Sequence, residues 1–155
     1  MSKQDVLRYN TKLSTAQPKL DDLKNRVEQA EREQSNLNQR IFELNRSLAA
    51  EEQKFVDTEK KIDELTKKAA ERDQSYSERI DLYELKQERK LGQKTLSELR
   101  LQLQRLQQNR SINLSKLDEL KEEEEEMQEY VESIKALLAV VSSSSHKNAP
   151  VWTEG

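Results

Sequence analysis

The sequence predicts an all-α protein: an elongated coiled coil of two long helices in an antiparallel hairpin, followed by a disordered C-terminal tail. Three observations predict it. Apolar residues recur at alternating steps of three and four along two long stretches, helix-forming residues dominate, and a change of phase near residue 73 separates the two stretches.

Composition narrows the alternatives. Of 155 residues, 33% are hydrophobic and 37% charged, with two Gly and two Pro. A compact globule needs more apolar material and more turns, whereas a disordered chain does not sustain heptads. Abundant Leu, Glu, Lys, Gln and Arg favour helix at nearly every position. A net charge of -3 with interspersed signs builds no polyelectrolyte face, so nucleic acid is not expected as a partner. The absence of Cys excludes a disulfide framework and a thiolate metal site, and it fits the cytosol or nucleus. The longest apolar cluster, Ala136 to Val141, is far too short to span a bilayer, and Lys3-Gln4-Asp5 does not resemble the start of a signal peptide. The expectation is a soluble intracellular protein, cytoplasmic (cytoskeleton-associated) or nuclear, with no membrane partner.

Residues 1–17 read as a helical extension or lead-in, because Val6 and Tyr9 already sit in the phase of the first seam. Pro18 falls at an outward position, where it either kinks a continuous helix or occupies the first turn of a new one capped by Ser14 or Thr15. The first coiled-coil helix is placed at residues 18–72. Its core positions are a (Val6, Leu13, Leu20 and every seventh residue) and d (Tyr9, Ala16, Leu23 and so on). Sixteen of nineteen through Ala69 are apolar, the exceptions being Gln34, Glu51 and Thr58. Continuing that phase would bury Arg72 and Arg79, so the seam ends there.

Residues 73–76 read as a turn or hinge. The region has no Gly or Pro, which favours continuity, but Asp73 and Ser75 are turn formers and Ser75 with Glu78 matches a capping box. The second helix, residues 77–141, carries a new seam from Leu82 and Leu85 to Leu138 and Val141. Thirteen of its eighteen core positions are apolar, the others being Arg89, Gly92, Arg110, Asn113 and Glu124. Residues 142–155, with four consecutive serines and Pro150, read as the disordered tail.

A hairpin must pair one seam with the other in a single register. Requiring the ends to meet and the core amides Gln34 and Asn113 to face each other puts residue i opposite residue 147 minus i. Large Phe55 then faces small Gly92. The flanking rows give Lys68 with Asp81, Lys61 with Glu88, Glu33 with Lys116, Arg26 with Glu123 and Glu59 with Lys86, against one clash of Lys24 with Lys121. A parallel homodimer gives three attractive pairs and two clashes, so charge favours the hairpin orientation.

Two seams leave apolar residues over. Phe42, Ala49 and Val56 form a row at heptad spacing, and Tyr130, Leu137 and Val140 widen the apolar face near the end of the second helix. Leu101, Ile112 and Leu114 also lie off the seam. These rows are candidate contact faces for partner helices in a three- or four-helix bundle. Trp152 on the tail is a candidate docking anchor, or packs back on the helices.

Nothing in the sequence points to catalysis. The run Glu122 to Glu126 points around a whole helix circumference and cannot converge on one ion, Glu124 alone falling in the core. Arg89 and Arg110 read as register-setting polar layers, as do Gln34 and Asn113. His146 is the only histidine and has no second ligand or catalytic partner. No phosphate loop, nucleophile elbow or metal-ligand cluster is present. The expectation is a protein that is not an enzyme, with no cofactor, metal or small-molecule substrate.

The expected role is that of a scaffold or spacer subunit in a larger intracellular complex of cytoskeletal, kinetochore, centrosomal or ciliary type. Its partners would be other α-helical coiled-coil proteins in a hetero-oligomer. One alternative is a parallel homodimeric rod or tether. Another is a prefoldin-like chaperone, although the strand-rich hairpins that assemble such chaperones have no counterpart between these helices.

Overall fold

The computed structural model of the chain describes the backbone of residues 2–154 and the side chains of residues 2–142. It consists of two helices, α1 (Lys3–Glu71) and α2 (Tyr76–Glu154), joined through residues 72–75. Among the described residues there is no strand. The side chains beyond residue 142, that of the docking candidate Trp152 included, lie outside what is described.

Each helix start is explained by its first turn. Ser2 Oγ accepts from the Asp5 backbone N–H at 3.1 Å, and Asp5 Oδ2 accepts from the Ser2 N–H at 3.2 Å, closing a reciprocal capping box. At α2, Ser75 Oγ accepts from the Glu78 N–H at 3.2 Å and donates to Glu78 Oε1 at 3.1 Å. Arg72 Nη1 reaches the same Oε1 at 2.8 Å. α1 runs unbroken through Pro18, which is exposed, so the carbonyl of Ser14 that loses its donor faces water. The turn uses no positive-φ residue.

The chain divides into two compact units, one of Met1–Gln34 with Asn113–Gly155 and the other of Ser35–Ile112. In each, a stretch of α1 pairs with a stretch of α2 running the opposite way.

In the first unit the core forms two clusters, with Glu124 level with Leu23 between them. Ala16, Leu20 and Val131 bury together with Leu13 and Met127 against them, and Val27, Ala30, Leu117 and Leu120 form a second cluster with Leu23. Val131, opposite the small Ala16, is 0% exposed. At one boundary of this unit Asn113 Nδ2 donates to Gln34 Oε1 and to the Ala30 carbonyl, both at 2.9 Å.

In the second unit apolar layers alternate with interruptions. Leu37, Ile41, Ile62 and Leu96 are buried. Thr58 is buried too, its hydroxyl donating to the Lys54 carbonyl at 3.0 Å. Phe55 stands over Gly92, where an added Cβ would lie 3.2 Å from Phe55 Cδ2. Beside this layer runs a groove of about 230 Å³ lined by Lys54, Phe55, Thr58, Glu88, Leu91 and Gly92 among others. Gln34 with Asn113 and Phe55 with Gly92 both satisfy the 147 register.

The charge rows need a correction. None of the five expected pairs closes within 4 Å among the described residues. The inter-helix bridges are Glu31 with Lys121 at 3.9 Å and Glu52 with Arg100 at 3.5 Å, besides Arg72 with Glu78 at the turn. Arg26 turns instead to Asp22 on its own helix, at 3.0 Å. On the e rows, where both bridges form, the physical reason is side-chain tilt. Every helical side chain leans toward its own N-terminus, so in an antiparallel pair two long side chains meet when both come from residues displaced C-terminally from the level position. The expected pairs sum to 149 on the g rows and 145 on the e rows, whereas both observed bridges lie on the e rows and sum to 152, a heptad beyond the expected e pairs. The same displacement takes Lys121 to Glu31 and removes the expected clash with Lys24.

Candidate interaction surface

The seams satisfy each other, so the surface available for binding is what they leave outside. α1 places Phe42 63% exposed, Ala49 exposed and Val56 44% exposed, one strip on the second unit. The Arg46 guanidinium lies 6.0 Å from the Phe42 ring centroid, covering one side of it. α2 places Tyr130 and Val140 exposed and Leu137 half-buried, on the first unit. The two groups therefore belong to different units and form two separate patches. Leu101, Ile112 and Leu114 are exposed singly.

Gln34 and Asn113 are half-buried and hydrogen-bonded to each other, so they pair within the chain rather than reach outward. Arg89 and Arg110 are half-buried, with no ion pair within 4 Å among the described residues. Glu124 is half-buried while its four neighbours in the run are exposed.

Spacing alone also missed a strip. Tyr76, Ile80 and Tyr83, at steps of four and three, are 81%, 58% and 66% exposed at the start of α2. Their helical spacing was the available signal, but they precede or straddle the first seam residues Leu82 and Leu85, so attention to the seam hides them. Arg79 stacks over the Tyr76 ring at 5.5 Å.

Each cap holds a carboxyl whose proton affinity its neighbours lower. The Arg72 hydrogen bond, followed by those from Ser75, holds the Glu78 carboxyl below its ordinary value. Hydrogen bonds from Ser2 do the same for Asp5. Two polar side-chain atoms at the turn, Gln74 Nε2 and Glu78 Oε2, are buried without a partner. Among the described residues no group of His, Cys, Asp or Glu is arranged to hold a metal ion, and no helix is long and apolar enough to cross a membrane.

These features define a two-helix antiparallel coiled coil with apolar strips outside its seams. The chain matches no protein-family model, and no curated protein or solved structure is significantly similar to it.

Proposed function

We propose that the chain is a non-enzymatic coiled-coil subunit that acts as a scaffold or spacer in an intracellular assembly, held by packing of helices from other chains against its outer strips. The observation that carries this reading is the Phe42, Ala49 and Val56 row. It stays exposed although both seams have already found their partners within the chain. A regular apolar row costs solubility unless another surface covers it, and a helix face with heptad spacing is the natural cover. Cytoskeletal, centrosomal, kinetochore and ciliary assemblies are the cellular settings in which such a part is used.

The test is purification of the full chain from cells beside its Phe42→Ser/Val56→Ser variant. Discrete stoichiometric helical partners, lost in the variant while its helicity persists, support the scaffold. Capture of many unfolded clients, indifferent to the variant, supports a chaperone and overturns it.

A further inference from the structure

We infer that one side of the unit Ser35–Ile112 is a docking face for a second copy of this chain, which would make two hairpins into a four-helix bundle. The inference rests on the scaffold reading and names its first partner.

The Glu52–Arg100 bridge joins e positions of the two helices and so identifies the side of the hairpin on which the e rows meet. The b positions flank those rows on the same side. On α1 this side presents Asn38, Phe42, Asn45, Ala49, Glu52, Val56, Glu59, Asp63, Thr66 and Ala70, with three acids and no base. On α2 it presents Tyr76, Arg79, Tyr83, Lys86, Lys90, Gln93, Ser97, Arg100, Gln104, Gln107 and Ser111, with four bases and no acid. Every one of these residues is exposed. The opposite side is unsegregated: its α1 strip mixes Arg40, Lys54, Lys61 and Lys68 with Glu43, Asp57, Glu64 and Glu71.

One face therefore carries four large exposed apolar residues, Phe42, Val56, Tyr76 and Tyr83, between an acidic edge and a basic edge. Such a face complements itself. A two-fold axis parallel to the helices lays the α1 edge of each copy over the α2 edge of the other. Glu59 and Asp63 of one copy then stand near Lys86 and Lys90 of the other. These lysines, in the 147 register, are level with residues 61 and 57. The other face-to-face two-fold, perpendicular to the helices, would lay acid on acid and base on base. Charge admits only the first arrangement. Among the described residues, Glu52 and Arg100 are the one pair of these seven charges within 4 Å of each other, and the remaining five face outward with no described partner at that distance.

The experiment is sedimentation equilibrium of the full chain and two charge variants, Glu59→Lys/Asp63→Lys and Lys86→Glu/Lys90→Glu, with helicity checked by circular dichroism. The wild-type chain should sediment at twice its 18.2 kDa mass. Each variant alone should dissociate with a dimer constant weakened about tenfold or more, and an equimolar mixture of the two should recover the dimer, because both interfaces of the mixed pair again oppose unlike charges. Phe42→Ser should weaken the dimer without altering the salt dependence. A chain that stays monomeric at high concentration overturns the inference, as does a dimer indifferent to both charge variants. A monomer that still retains stoichiometric partners from cells leaves the scaffold reading standing; a dimer of the inferred kind that retains none separates the two in the other direction.

Discussion

The two units are built from the same heptad grammar and use it differently. The unit containing residues 3–34 of α1 breaks its seam at Gln34, Asn113 and Glu124 alone, and it buries two apolar clusters in which Leu20 and Val131 are essentially sealed from water. The unit Ser35–Ile112 interrupts its seam with Glu51, Thr58, Arg89, Gly92 and Arg110, and a groove opens beside Phe55. Outside the seam the contrast reverses, since the second unit carries the Phe42 and Tyr76 strips. Dense burial within the chain and apolar surface offered outward are thus concentrated in different places. A two-helix seam is narrow, so residues committed to an outer face are not available to thicken the core.

The largest test of this difference is truncation of matched core leucines. Leu20→Ala, at a fully buried site, should cost about 3 kcal/mol, the scale for a core leucine whose cavity cannot collapse. Leu65→Ala, half-buried in the second unit, should cost about half as much because water already reaches the site. Urea unfolding of both variants measures the ratio. Equal losses would mean that the two units have equally tight seams.

The amide layer ranks next. Asn113→Leu removes the donor to both Gln34 and the Ala30 carbonyl and should destabilise by about 1–2 kcal/mol. Gln34→Leu/Asn113→Leu together should regain that loss or exceed it, at the expense of a unique register. Register is read from disulfide closure between Phe55→Cys and Gly92→Cys added to the double variant: near-complete intrachain closure in the wild-type background, incomplete closure with interchain products in the double variant if the polar layer sets the pairing. A double variant as well-defined as the wild type would remove the register role from these amides.

Much of the fold was legible in spacing because a heptad seam is a one-dimensional code: Leu20, Leu37 and Leu96 declare their burial by position alone. The pairing of Gln34 with Asn113 was legible for a similar reason, since a buried amide needs another polar group at its level. The ion pairs were not legible from the nearest flanking positions. Lys121 reaches Glu31 because both side chains lean along their own helices, a three-dimensional effect that counting across a hairpin ignores. The Tyr76, Ile80 and Tyr83 strip was hidden for a different reason, because it lies outside any seam and is apolar without being core.

A smaller effect, of opposite sign to truncation, is expected at Gly92. Alanine gains about 0.5–1 kcal/mol of helix propensity over glycine in a helix interior. Its Cβ would meet Phe55 Cδ2 at 3.2 Å, which is tight, but the ring is half-buried beside an open groove and can swing aside by the few tenths of an ångström required. Gly92→Ala should therefore raise the urea midpoint slightly. A clear loss would show that the Phe55 layer is as rigid as the layers around Leu20, and that the second unit is not the looser one.

The smallest expected effect separates the two caps by pH. Glu78 is held below its ordinary value of 4.5 chiefly by Arg72, and Asp5 below 3.8 chiefly by Ser2. For a carboxyl depressed in the folded state, the stabilisation is fully present above the unfolded value and is lost as pH falls through the folded value. Both caps thus contribute at neutral pH and weaken on acidification, Glu78 beginning its loss at the higher pH. Protonation of Glu78 also loosens the link to Arg72 across residues 72–75, a tie between two helix ends, whereas protonation of Asp5 frees only the first turn of α1. Glu78→Gln should flatten the dependence of the urea midpoint on pH below about 4.5 more than Asp5→Asn does. Equal flattening would show that Arg72 acts on Glu78 only as a local charge, with no contribution to closing the turn.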